Sequence, residues 1–152
     1  VKIEEQIRED VGDEWLPHLY KTRVRDQRTR SVHLDIAARE NKAEILYTLL
    51  GIELKVGRRR FACPDLATAR YLRVFARIGC CDFAIPYDIS QISRIADEFE
   101  TSWQRTLVLI EGKPSNRAAL VKALRNDINA YGPGDPMPLF DRETKQRKDV
   151  SE

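Results

Sequence analysis

Apolar residues alternate with polar ones at Ile52, Leu54 and Val56, with Glu53 and Lys55 between them, the period-2 pattern of a strand with one buried face. Gly57-Arg58 then suits a two-residue turn, the glycine supplying the positive φ that a type II′ turn needs first. That turn sets Leu54 opposite Phe61 and Ile52 opposite Cys63 on the apolar face. On the other face it sets Lys55 opposite Arg60, a like-charge pair relieved by a bound anion or by two side chains snorkelling apart. Pro64 ends the strand, Asp65 is an N-cap residue and Gly79 a helix stop, so residues 65–78 predict a helix. At about 100° per residue, Arg70, Arg73 and Arg77 share one stripe of it, and Tyr71, Leu72, Phe75 and Ile78 lie largely opposite.

Upstream, Ile3, Ile7 and Val11 recur every four residues and predict an opening amphipathic helix broken at Gly12. Asp13 can cap a second short helix through Tyr20, with Pro17 in its first turn. Residues 21–31 are polar and strongly basic and read as a mobile connector. Val32, Leu34 and Ile36 alternate with His33 and Asp35, which suits a short strand; a helix over residues 33–50 is the alternative. Residues 42–50 read as helical in either case.

Downstream, residues 80–86 form a short apolar run of the kind found in buried strands. Asp88 or Ser90 can cap the next helix, whose stripe is Ile89, Ile92, Ile95, Ala96, Phe99 and Trp103. Residues 106–112, TLVLIEG, predict another buried strand, and Ser115 a cap for a last helix burying Leu120, Val121, Leu124, Ile128 and Tyr131. Strands alternating with helices imply parallel pairing through right-handed crossovers. The expected fold is α/β, a mixed sheet of four or five strands flanked by helices, built from one β-hairpin plus parallel strands. The expected organisation is an N-terminal helical segment and basic connector over 1–31, an α/β core over 32–132, and an extended or disordered tail over 133–152. Met137, Leu139 and Phe140 equip that tail to dock on the domain, on another subunit or on a protein partner.

Composition narrows the function classes. Of 152 residues, 42% are hydrophobic and 33% charged, which suits a globular domain with a highly charged surface. The net charge is only +2, so any polyanion partner must be met by local charge separation. Such separation exists. Acids gather at Glu4, Glu5, Glu9, Asp10, Asp13 and Glu14 and again over 97–100, while bases gather over 21–30, 55–60 and 70–77. No apolar run is long enough to span a bilayer and no signal-peptide pattern is present, so no membrane partner and a cytoplasmic location are expected. Cys63, Cys80 and Cys81 flank predicted strands and read as reduced, buried hydrophobes.

Candidate chemistry is sparse. Glu53-Leu54-Lys55 on a strand with Asp35 upstream resembles the acid, then acid-x-lysine, of PD-(D/E)xK nucleases, in which two carboxylates hold a divalent cation and the lysine assists. Asp88 with Glu111-Gly112-Lys113 matches the same pattern, and in both matches a predicted helix separates the two acids. Gly112-Lys113-Pro114-Ser115 resembles the end of a phosphate-binding loop, interrupted by Pro114. The cysteines and the histidines His18 and His33 lack zinc-ligand spacing. No catalytic residue, metal or cofactor is therefore assigned. The expectation is a small nucleic-acid-associated or regulatory protein that binds DNA or RNA through Lys55, Arg58, Arg59, Arg60, Arg70, Arg73 and Arg77. The alternatives are a metal-dependent nuclease-like enzyme and a non-catalytic protein-interaction module, a homo-oligomer among them, using the tail or an exposed sheet edge.

Overall fold

The computed structural model describes residues 2–133. Residues 134–152, and with them Met137, Leu139 and Phe140, lie outside the described residues. The chain opens with α1 (Ile3–Val11), a 3₁₀ turn and α2 (Leu16–Leu19), which runs on into a π-helical turn over Tyr20–Arg25. Strands β1 (Thr29–His33), β2 (Ala43–Thr48), β3 (Gly51–Val56) and β4 (Arg59–Cys63) follow, then α3 (Leu66–Ile78) and β5 (Asp82–Pro86). Two long helices, α4 (Ile92–Ile110) and α5 (Arg117–Tyr131), complete the described chain.

The hairpin and the helix after it form as their residues dictate. β3 and β4 pair antiparallel, with Leu54 opposite Phe61, Ile52 opposite Cys63 and Lys55 opposite Arg60. Gly57 holds a φ of 62°, which a residue with a Cβ resists. Asp65 caps α3 by accepting the Thr68 N–H at 2.7 Å. At the other end Gly79 is left-handed, and both its N–H and that of Cys80 return to the Phe75 carbonyl. Gly79 is fixed twice over: a Cβ there would stand 2.2 Å from the Arg39 carbonyl oxygen.

The sheet arrangement differs from the expected one. The described residues form two small sheets, β1-β5 and β2-β3-β4, and every pairing in them is antiparallel. The parallel crossovers fail because residues 106–112 are not a strand. The α4 stripe of Ile92, Ile95, Ala96, Phe99 and Trp103 continues through buried Thr106 and Ile110, at helical spacing, while Val108 and Leu109 are exposed. The Thr106 hydroxyl donates to the Ser102 carbonyl at 2.8 Å, the i−4 bond of a helix interior. Residues 42–50 also depart from expectation. Ala43 to Thr48 form β2 rather than a helix, because the turn at Leu49 and Leu50 sets them against β3 with Ile45 opposite Leu54. Cross-strand partners, not local propensity, decide that segment. The region expected as a connector, 21–31, instead holds the π-helical turn and most of β1. Its anchors are Val24, fully buried, and Thr29, paired with Pro86 of β5. Ser115 lies in a 3₁₀ turn ahead of α5 and gives that helix no side-chain cap.

One buried cluster joins all of these elements. Alpha helix α3 is its axis, buried on most sides, with Ala69 and Ala76 fully enclosed and the three-stranded sheet against it. Phe75 stacks on Phe83 of β5 at 4.1 Å, and Phe99 of α4 and Tyr20 meet its edge. The N-terminal segment adds Trp15, Leu16 and Tyr20, all fully buried; the Trp15 indole donates to Asp127 of α5 at 2.9 Å.

Candidate nucleic-acid interface

The hairpin presents its charge at one end. Arg58, Arg59 and Arg60 are exposed around the Gly57 turn, and Lys55 stands half-buried one pair further in. Strand alternation puts Lys55 and Arg60 on the face away from α3, since Leu54 and Val56 are the buried neighbours. Acids stand beside the like-charge pair. Glu44 of β2 lies directly across from Lys55, and Arg60 reaches Glu53 at 3.3 Å. Arg59 pairs with Asp35 at 2.9 Å. Among the described residues Lys55 and Arg58 make no ion pair or side-chain hydrogen bond. The Arg59–Asp35 pair is open to water on both sides, so it is worth about 0–1 kcal/mol and exchanges readily, whereas Arg60, 55% exposed, meets a Glu53 that is only 16% exposed.

The helix arginines are held differently. Arg70 binds Glu100 at 2.6 Å and also reaches Asp97, and Arg73 binds Glu100 at 2.9 Å. Arg70, Arg73 and Glu100 are roughly three-quarters buried, so their clamp is screened far less than the exposed Arg59–Asp35 pair. Burial alone would raise the Glu100 pKa, but hydrogen bonds from Arg70 and Arg73 outweigh it and hold the carboxyl below its ordinary value. The same contacts hold the Arg70 guanidinium above its usual range. Arg77 turns toward the sheet and donates to the Ala43 carbonyl at 3.1 Å; burial, then the charge of Arg73, lowers its pKa. The seven basic residues thus divide. Lys55, Arg58, Arg59 and Arg60 share the hairpin, whereas Arg70, Arg73 and Arg77 bind α4 and β2 on the other side of the sheet's buried face.

The fold also brings up bases that the pattern of the sequence did not single out. Residues 34–42, which lack regular structure, cross the C-terminal end of α3. Asn41 fastens them there, its backbone N–H donating to Arg77 and its side-chain amide to Ala76, Ala37 and Arg39 carbonyls. This crossing sets Arg39 and Lys42 beside Gly57 around a groove of about 470 Å³. On its other flank Arg39 shares a second groove of about 380 Å³ with Arg117 and Arg125 of α5. Glu40 is the one acid lining either groove, and Arg117 holds it with two hydrogen bonds. No periodicity marks these four bases; a loop brought to a helix end leaves no such trace.

The nuclease-like residues are placed as follows. Glu53 and Lys55 share one face of β3, with Glu53 bonded to Arg60, and Asp35 lies in the irregular segment bonded to Arg59. Asp88 caps a 3₁₀ turn by accepting the Ser90 N–H, and its carboxyl is held low by hydrogen bonds from Ser90 and Gln91. Glu111 and Lys113 lie between α4 and α5, so the loop at Gly112 joins two helices rather than a strand and a helix. Among the described residues no three His, Cys, Asp or Glu side chains are grouped to hold a metal ion. His33 and Asp82 form an exposed pair at 2.8 Å across β1 and β5. No described helix is long and apolar enough to cross a membrane. No family model, curated protein or solved structure matches the chain.

Proposed function

We propose that this protein is a nucleic-acid-associated or regulatory protein that binds a polyanion at the turn of the β3–β4 hairpin. The observation that carries it is the exposed Arg58-Arg59-Arg60 run that follows Gly57, the turn residue lining one groove with Arg39 and Lys42. Phosphate would replace Asp35 as the partner of Arg59 at little cost, because an ion pair exposed on both sides contributes so little, and the exposed Arg60 guanidinium keeps donors beyond the one that meets Glu53. Arg58 and Lys55 bring charge that no described carboxylate has yet taken. The helix arginines Arg70, Arg73 and Arg77 carry this reading less, since each already serves a contact within the chain.

Titration of labelled single- and double-stranded DNA and RNA at two salt concentrations tests it. Binding through phosphates weakens with salt by a log–log slope of about −0.9 per contact on duplex DNA. The Arg58→Ala, Arg59→Ala, Arg60→Ala variant is expected to lose affinity uniformly across sequences and to flatten that slope by about 3 at most. Salt-insensitive binding by the parent, or unchanged binding by the folded variant, refutes the proposal. Adding magnesium or manganese to the same reactions separates binding from the nuclease-like alternative, which requires cleavage.

A further inference from the structure

The three-stranded sheet has two edges, and they are built differently. The β4 edge carries Arg59 and Arg60, the sort of charged guard that blocks strand addition. The β2 edge reads Ala-Glu-Ile-Leu-Tyr-Thr, with one charged residue, no proline and no lysine. Beyond it the turn thrusts out Leu49 and Leu50, 106% and 92% exposed, and Tyr47 is 72% exposed. The direction of the free backbone groups is fixed by Arg77. Its guanidinium takes the Ala43 carbonyl from outside the β2–β3 ladder, so Ala43 points off the open edge. Alternate residues of a strand point the same way, so the N–H and C=O of Ile45 and Tyr47 point off it too.

We propose that the β2 edge pairs antiparallel with β2 of a second copy of this chain, in the register that sets Leu46 opposite its symmetry mate. In that register Ile45 faces Tyr47 of the other copy, and these two pairs exchange four backbone hydrogen bonds. Ala43 stays with Arg77. Glu44 falls opposite Thr48, so no like charges meet. A shift by two residues one way would bring Ala43, already occupied, into the ladder, and the other way would set Ile45 opposite the turn residue Leu49. Leu49 falls across from Ala43 of the other copy, at the mouth of a groove of about 430 Å³ where Trp103 and Leu107 stand among charged side chains, Glu40, Arg77 and Arg117 with them. Self-complementarity is what selects a second copy as the occupant. The product is a six-stranded sheet, β4-β3-β2-β2-β3-β4, with the two arginine hairpins at its ends and on one face. At about 4.8 Å per strand the outer strands stand roughly 24 Å apart.

The inference rests on the edge alone and is tested without any polyanion. An interface of one strand and two leucine tips is at the small end of specific contacts, so a dimer dissociating in the micromolar range is expected. Sedimentation velocity from about 1 to 200 μM should show the mass rise from 17.6 kDa toward twice that value. Leu46→Lys puts two ammonium groups on the symmetry axis, yet within its own chain it faces Glu53, so folding is retained and the dimer weakens tenfold or more. Under mild oxidation Leu46→Cys should cross-link to a reducible dimer, whereas Glu44→Cys, facing Thr48, should not. A parent that stays monomeric throughout, Leu46→Lys dimers as tight as the parent's, or equal cross-linking of both cysteine variants would overturn the proposal. The cross-linking comparison stands even if Leu46→Lys fails to fold.

Discussion

Replacing Glu100 by glutamine tests the division between clamped and available arginines. Glu100 accepts from Arg70 at 2.6 and 3.3 Å and from Arg73 at 2.9 Å, with about three-quarters of all three side chains buried. Glutamine preserves shape but removes the charge and turns half of the acceptor into a donor. Asp97 still serves Arg70, but Arg73 loses the one ion-pair partner it has among the described residues, and its Nε is already buried with no hydrogen-bond partner among them. A lost charged hydrogen bond costs about 1.5–3 kcal/mol, and the partly buried setting places the total near 2–3 kcal/mol. For a chain of this size that lowers the melting temperature by about 6–10 °C. The expected pH dependence has a definite sign. The folded Glu100 pKa lies below the ordinary 4.5, so its contribution is complete above that value and is lost as pH falls through the folded pKa. Urea unfolding at pH 7 and in steps below pH 4.5 should therefore show a gap between Glu100→Gln and the parent that closes in acid. Under the same assay Arg59→Ala, which breaks only the exposed pair with Asp35, should stay within about 1 kcal/mol of the parent. A Glu100→Gln loss below about 0.5 kcal/mol at neutral pH, or a gap that persists in acid, refutes the clamp.

Three further outcomes follow from the packing. Gly79→Ala combines a φ of 92° with a Cβ 2.2 Å from the Arg39 carbonyl oxygen, so it should cost more than about 3 kcal/mol and disturb residues 34–42, seen as a large fall in melting temperature. Tyr20→Phe leaves the buried Ala84 N–H without its acceptor and the Gly132 carbonyl without its donor, a loss of about 2 kcal/mol in denaturant titration. Thiol labelling at pH 8 should reach Cys81 first and Cys80 last, because burial pushes the Cys80 thiol up to about 12; Cys80 reacting at the rate of a free thiol would contradict its position.

The residues from 52 to 79 specified their own structure. Alternation, a glycine at the turn, an aspartate cap and a glycine stop are local signals, each acting within a few residues, and together they gave the hairpin register and the limits of α3. The same was true of α1, broken at Gly12, and of the strand at β5. What local signals could not choose was the partner of each strand. Ala43 to Thr48 suits a helix or a strand until β3 lies beside it, and Thr106 to Ile110 reads as a buried strand until the i−4 bonds of α4 run through it. Antiparallel pairing of β1 with β5 joins residues about fifty positions apart, a contact that no window of sequence contains. The basic surface divides along the same line. The arginines were visible as a stripe and a run, but only packing shows that Arg70 and Arg73 face Glu100 of α4 while Arg58 faces water. Charge is written residue by residue; which charges are neutralised depends on which helices meet.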